Sequence, residues 1–336
     1  MYSTSKSDPE ERLSDGKWKS RLMSSGLPLE FEAAKILARR GFAVQGDYKY
    51  DRLSEKQLKT FSVDIEATAY HPFGDPNKID ADLYLLIECK QRQRQMSWLF
   101  LPEPSSPEFS PITMGCTLRS VEAFSEWYVP LGSTVNFDED LPTAYKGIEI
   151  EESDGKVFDG ELREGLSQLQ FALPRLLGES IEFNLHQTPF FFCPILLTTA
   201  ELFVAHGDFS INRVESCKTI SDLADPVPFL VIYADGGPEF ERHQRRVFGQ
   251  LLDDINLFPL DEFRLSKGTK FHSPSKVLQD LAGGSRYEFL HLFSQLVVCN
   301  LNHFDSLLEK LAGSVNSAMN SAKSLKRMRT RRTGGA

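Results

Sequence analysis

The stretch from Asp82 to Lys90, DLYLLIECK, constrains this chain more than any other. An extended segment that is apolar at nearly every position belongs to a strand covered on both faces, which predicts a central sheet with helices above and below it. Its end breaks the pattern. Glu88 and Lys90 lie two residues apart and so share one face of the strand, while Leu85, Ile87 and Cys89 take the other.

The flanking segments supply the rest of an α/β layer. Residues 1 to 25 show no sustained period and read as a flexible arm. Pro28 to Arg40 reads as a helix, with Pro28 in its first turn, Gly41 at its stop, and Leu29, Ala33, Ile36 and Leu37 as its apolar stripe. A strand is expected near 42 to 50, followed by a polar turn, RLSEKQLK. FSVDIEATAY, from Phe61 to Tyr70, alternates as a second strand. On that reading Asp64 and Glu66 share one face and Val63 and Ile65 the other.

Beyond Lys90 the order is looser. Residues 95 to 160 are Pro- and Ser-rich and then acidic, and read as a long insertion with a short helix at 118 to 128. Glu161 to Leu177 is an amphipathic helix that Pro174 should kink or shorten. Strands are expected around 190 to 205 and 227 to 235, with Asp235-Gly236-Gly237 as a turn. Residues 286 to 325 read as one long helix or two. The predicted organisation is an α/β domain over 26–235, a mainly helical extension over 236–322, and a basic disordered tail over 323–336.

Net charge is −9, which by itself argues against a phosphate-rich partner. The charge is unevenly spread, however. Lys17 to Lys59 is rich in Lys and Arg, 133 to 164 is acidic, and the last sixteen residues carry Lys323, Lys326, Arg327, Arg329, Arg331 and Arg332 with no acid. Five scattered cysteines without a CxxC pair read as reduced thiols. With no apolar leader and no run long enough for a membrane span, a cytoplasmic protein is expected, with no membrane partner. Cys299 and His303, four apart, have no second pair at zinc spacing and read as helical packing. Trp98 and Phe100 read as core. There is no Ser-His-Asp or Cys-His arrangement and no phosphate loop.

Chemistry concentrates where the two strands end. If they are neighbours, Asp64, Glu88 and Lys90 converge at one edge of the sheet. Two carboxylates offer the hard oxygen ligands that Mg²⁺ takes, and a nearby ammonium can stabilise charge that builds on a phosphoryl group. Arg92 and Arg94, alternating after Lys90, are candidates for phosphate contacts, and Gln91 and Gln168 for lining the site.

In order, a helix with Glu, a strand, a strand with Asp and a strand ending in Glu-x-Lys resemble the PD-(D/E)XK nuclease superfamily. The matching segments are GLPLEFEAAKILARRGF, VDIEA and IECK. Val63 stands before the aspartate where many members have Pro. The resemblance implies a restriction-endonuclease-like core, with a central mixed sheet flanked by helices. It covers about 65 residues well and another 45 loosely, with Glu161–Leu177 and Cys193–Ala200 continuing the core. It further implies Asp64 and Glu88 as metal ligands, Lys90 as catalytic lysine, and Glu30 holding a water or second metal, with Glu32 as the alternative. The implied cofactor is Mg²⁺, with Mn²⁺ as substitute, and the implied partner is nucleic acid, DNA in the first instance. A homodimer is compatible with the sequence but not indicated by it. The rival readings are an RNA-directed nuclease, a nuclease-fold module that binds without cutting, and a structural salt-bridge cluster.

Overall fold

The computed structural model describes residues 9–75, 77–92, 95–102, 104, 116–121, 134–136, 141–183, 190–234, 236–254, 274–283 and 293–333. The chain is an α/β protein with a large mixed sheet flanked by helices. In chain order the strands are β1 (Ala43–Ser54), β2 (Gln57–His71), β3 (Ala81–Lys90), β4 (Met96–Pro102), β5 (Cys116–Val121), β6 (Thr134–Asn136), β7 (Thr143–Glu151), β8 (Lys156–Phe158), β9 (Phe190–Thr198), β10 (Glu201–Ala205), β11 (Ala224–Pro226), β12 (Phe229–Tyr233) and β13 (Gln295–Asn300). The helices are α1 (Pro9–Ser24), α2 (Leu27–Arg39), α3 (Gly160–Phe183), α4 (Ile211–Ser216), α5 (Gly237–Asp254), α6 (Pro274–Gly283) and α7 (Phe304–Thr333).

The sheet runs β1-β2-β3-β9-β13-β12-β7-β4-β10-β11. β1, β2 and β3 form an antiparallel meander, and β3, β9 and β13 lie parallel to one another. The β1–β2 hairpin turns on Glu55 and Lys56, both with left-handed backbone at φ 52° and 65°, the conformation that suits the twist of a two-residue hairpin.

Central strands feed two cores through plain alternation. In β9, Phe190, Phe192 and Leu196 enter a core with Leu166, Leu169 and Leu173 of α3. Phe191, Cys193, Ile195 and Leu197 enter the opposite core with Leu29, Ala33 and Leu37 of α2 and Leu307, Leu308 and Leu311 of α7. β13 divides likewise, Leu296 and Val298 to the first and Val297 and Cys299 to the second.

Several expectations need correction. The arm is not structureless throughout, since Pro9–Ser24 is helical. The segment 95–160 is more than an insertion, because β4 and β7 belong to the main sheet and 118–121, expected to open a short helix at 118–128, lies in a strand. α3 runs through Pro174 to Phe183 without ending there. The region beyond 235 is not a separate helical extension, since β13 lies between β9 and β12 inside the sheet. Its six residues, QLVVCN, are too short a run for periodicity to separate helix from strand, and the Val297-Val298 pair favours the strand. Cys299 therefore sits on a strand and His303 in a short 3-10 turn, so they are not a helical pair. Residues 323–333, read as a disordered tail, continue α7. Among the described residues no helix is long and apolar enough to cross a membrane.

Candidate active site

Asp64 sits where β2 changes faces. Val63 packs with Tyr48 and Tyr50 in the core beneath α3, whereas Ile65 packs in the core beneath α2. Strict alternation would place both on one face, as the sequence reading did. The break coincides with Asp47, whose backbone is left-handed at φ 55°. The β1–β2 register passes from Gly46 opposite Ile65 to Tyr48 opposite Val63, leaving Asp47 and Asp64 as the unpaired step.

The β2–β3 ladder stops at Ile65 opposite Ile87. The next step brings Asp64 level with Glu88, at the open end of the ladder. There the Cys89 backbone N–H donates to Asp64 Oδ2 at 2.7 Å, so a side-chain carboxylate takes the place of a ladder carbonyl. This fixes Asp64 on the backbone between Glu88 and Lys90.

Glu88 is only 2% exposed. Its Oε1 lies 3.0 Å from Lys90 Nζ, while its Oε2 is buried with no hydrogen-bond partner. Burial pushes the Glu88 carboxyl up to about 8 and the Asp64 charge adds to the rise, while the Lys90 ammonium and the Asp64 backbone N–H oppose it. Burial likewise raises Asp64, against the pull of the Cys89 amide and Lys90.

Lys90 is held from α3 as well. Its Nζ donates to Gln168 Oε1 at 3.2 Å, and α3 comes close through Gly165, where an added Cβ would stand 3.1 Å from Lys90 Cε. On the other side of the sheet, α2 begins at Gly26, a buried glycine with φ 78°. A Cβ there would lie 3.3 Å from Glu30 Oε1 and 3.8 Å from the Cys89 carbonyl oxygen, so the helix start is seated on the end of β3. Glu30 is half-buried and its carboxyl is raised by burial, then by Asp64 and Asp47. Glu32 is exposed. Of the two acids, Glu30 is the one that faces Asp64.

The remaining candidates divide. Gln91 lies at the same edge, its Nε2 3.8 Å from Met23 Sδ. The Arg92 guanidinium is already engaged, with Nε donating to Glu149 at 2.9 Å and Nη2 3.2 Å from Glu161. Arg94 lies outside the described residues. Trp98 and Phe100 are fully buried core residues.

Two neighbours of the site escaped the sequence reading. Asp47 adds an exposed carboxylate beside Asp64 and Glu30, and its only signal is a Gly-Asp pair inside a strand. Glu149, on β7, is buried and caps α3. Its Oε1 accepts from the Glu161 and Leu162 backbone N–H groups at 3.1 and 3.0 Å, and its Oε2 from Arg92 and from Trp98 Nε1, the latter at 3.2 Å. A carboxylate at a helix start satisfies otherwise orphaned donors and meets the positive end of the helix dipole.

Asp64 and Glu88 are hard oxygen donors, and the unpartnered Glu88 Oε2 is the atom most in need of a cation or proton donor. Among the described residues no three His, Cys, Asp or Glu side chains are gathered into a metal cage. Mg²⁺ is commonly held by one or two carboxylates and keeps several waters, so Asp64 and Glu88 are the residues that would hold it. Comparison with family models, with curated proteins and with solved structures finds no match to this chain.

Proposed function

We propose that this chain is a metal-dependent nuclease with a restriction-endonuclease-like core, hydrolysing phosphodiester bonds in DNA in a defence or repair setting. The observation that carries this reading is the Asp64 carboxylate docked on the Cys89 amide, which sets it beside a buried Glu88 oxygen with no partner and a fixed lysine. A buried unpaired carboxylate oxygen is costly, and a bound cation would offset that cost.

Asp64 and Glu88 would hold Mg²⁺ or Mn²⁺, and Glu30 and Asp47 would add negative charge beside them. The metal supplies charge that polarises a phosphoryl oxygen and activates water. The chain does the rest. Glu88 and Gln168 fix the Lys90 ammonium at the sheet edge, where it can donate hydrogen bonds to charge developing on the phosphoryl group. A binding module that had lost catalysis would be under no demand to keep Asp64, Glu88 and Lys90 together.

The test is incubation of purified protein with supercoiled plasmid, linear DNA and RNA in Mg²⁺, Mn²⁺ or EDTA. Cleavage of DNA with either metal and none in EDTA is the expected result. Cleavage of RNA alone would redirect the proposal to an RNA-directed nuclease, and no metal-dependent cleavage of any substrate would remove it.

A further inference from the structure

The face presented by α1 and the start of α2 combines exposed aromatic side chains with basic ones. Every residue from Lys17 to Ser24 is exposed, yet the segment includes Trp18 at 54% exposure and Met23 at 54%. On α2, Leu27 and Phe31 lie one turn apart on the outer side, and Phe31 is 65% exposed. Between and beside them stand Lys17, Lys19, Arg21 and Lys35. Lys19 Nζ lies 5.6 Å from the Trp18 ring and Lys35 Nζ 5.7 Å from the Phe31 ring. The exposed run from Lys17 to Ser24 carries three basic residues and no acid, although over Pro9 to Lys35 as a whole five basic residues face five acidic ones.

This face adjoins the candidate site. The corner at Gly26 rests against the end of β3, Met23 touches Gln91, and Phe31 follows Glu30 directly. A chain bound at the site could therefore extend over this face.

We infer that α1 and the start of α2 form a binding surface for a single-stranded or unpaired stretch of nucleic acid, with bases stacked on Trp18 and Phe31 and phosphates met by Lys17, Lys19, Arg21 and Lys35. The inference rests on the nuclease reading and names the form of its substrate. Aromatic faces accept any base that is free of its own stack, and cations interleaved with them track the backbone. The charge decides between occupants. A face made to bury against a second copy of the chain is depleted in lysine at its centre, whereas here lysines accompany both rings.

The test uses the full chain in EDTA, so that nothing is cut, with a fluorescein-labelled oligonucleotide as single strand and as duplex, read by fluorescence anisotropy. Trp18→Ala combined with Phe31→Ala should weaken single-strand binding about tenfold or more and leave duplex binding nearly unchanged. Both side chains are exposed, so the thermal midpoint should not move. Replacing Lys17, Lys19 and Arg21 by Gln should lower the log–log salt slope for the single strand by about 2. Equal single-strand affinity in wild type and the aromatic double variant would overturn the inference, as would a wild-type dimer that the same variant converts to monomer without loss of DNA affinity. The two readings fail separately. Metal-dependent cleavage with unaltered binding in these variants would remove only this surface, whereas binding through Trp18 and Phe31 without cleavage would remove only the catalysis.

Discussion

The Asp64 carboxylate accepts a hydrogen bond from the Cys89 backbone amide at 2.7 Å, in the place a ladder carbonyl would occupy. One side chain thus serves the sheet and the site together, and the two roles can be separated. Asp64→Asn keeps an oxygen acceptor for the amide but loses the charge, while Asp64→Ala loses both. In EDTA the Asn variant should melt close to wild type and the Ala variant should be less stable by about 1–3 kcal/mol, the cost of leaving a buried amide unpaired. Thermal denaturation distinguishes them; equal midpoints for the two variants would show that the contact contributes nothing.

Glu88 gives the metal-free protein a pH dependence of unusual sign. Its carboxyl ordinarily titrates at 4.5 and here is raised to about 8. Between those values the folded chain keeps a proton that the unfolded chain has released, so stability falls as pH rises through the window. His243 acts in the opposite direction. Burial lowers it from 6.5 to about 4, so its contribution grows with pH up to 6.5 and is constant above. Above 6.5 the difference between wild type and Glu88→Gln therefore reports Glu88. In EDTA the wild type should lose stability of order 1–2 kcal/mol from pH 6.5 to 8, Glu88→Gln should not, and Mg²⁺ should stabilise the wild type more at pH 8 than at 6.5. Parallel profiles for wild type and Glu88→Gln would contradict the assignment.

At Gly165 the backbone of α3 comes close to the site. A Cβ there would stand 2.6 Å from Leu196 Cδ1 and 3.1 Å from Lys90 Cε. Gly165→Ala should cost about 1–3 kcal/mol through overpacking and displace the lysine. Its cleavage rate at saturating substrate should fall while its affinity for DNA in EDTA stays near wild type. A fully active Gly165→Ala enzyme would show that the lysine tolerates other positions.

Glu149 supports the site at one remove, since it caps the helix that carries Gln168. Glu149→Ala leaves Arg92 buried without its closest carboxylate and two amides at the start of α3 unsatisfied. A loss of about 3–5 kcal/mol is expected, and Glu149→Gln, which retains an acceptor, should lose less. Because Glu149 does not reach Asp64 or Glu88, cleavage by either variant below its melting range should remain within a few-fold of wild type.

The sequence made legible what depends on local pattern. Apolar continuity marked β3 as central and 190 to 205 as strand, and the stripe of Leu29, Ala33 and Leu37 marked α2. What was lost depends on pairing between distant segments. QLVVCN becomes a strand only because β9 and β12 lie on either side of it, and β4 and β7 were hidden in a segment whose composition looks like loop. The site shows the same division. Glu88 and Lys90 follow from alternation along one strand. Asp64 was found although the alternation assumed around it is broken, since the change of face at Asp47 and Asp64 leaves no mark in polarity. Glu149 caps a helix that begins 11 residues later, beyond the reach of a local capping rule, and the choice of Glu30 over Glu32 needed the angle at which α2 leaves Gly26.

The most direct test of the central claim is single-turnover cleavage of a DNA substrate by wild type, Asp64→Asn and Lys90→Ala, with Mn²⁺ affinity measured on the same preparations. Asp64→Asn should lose both metal affinity and cleavage. Lys90→Ala should retain Mn²⁺ within a few-fold yet cleave about 10²–10³ times more slowly. Wild-type cleavage by both variants, or a wild type that neither binds Mn²⁺ nor cuts, would contradict that claim.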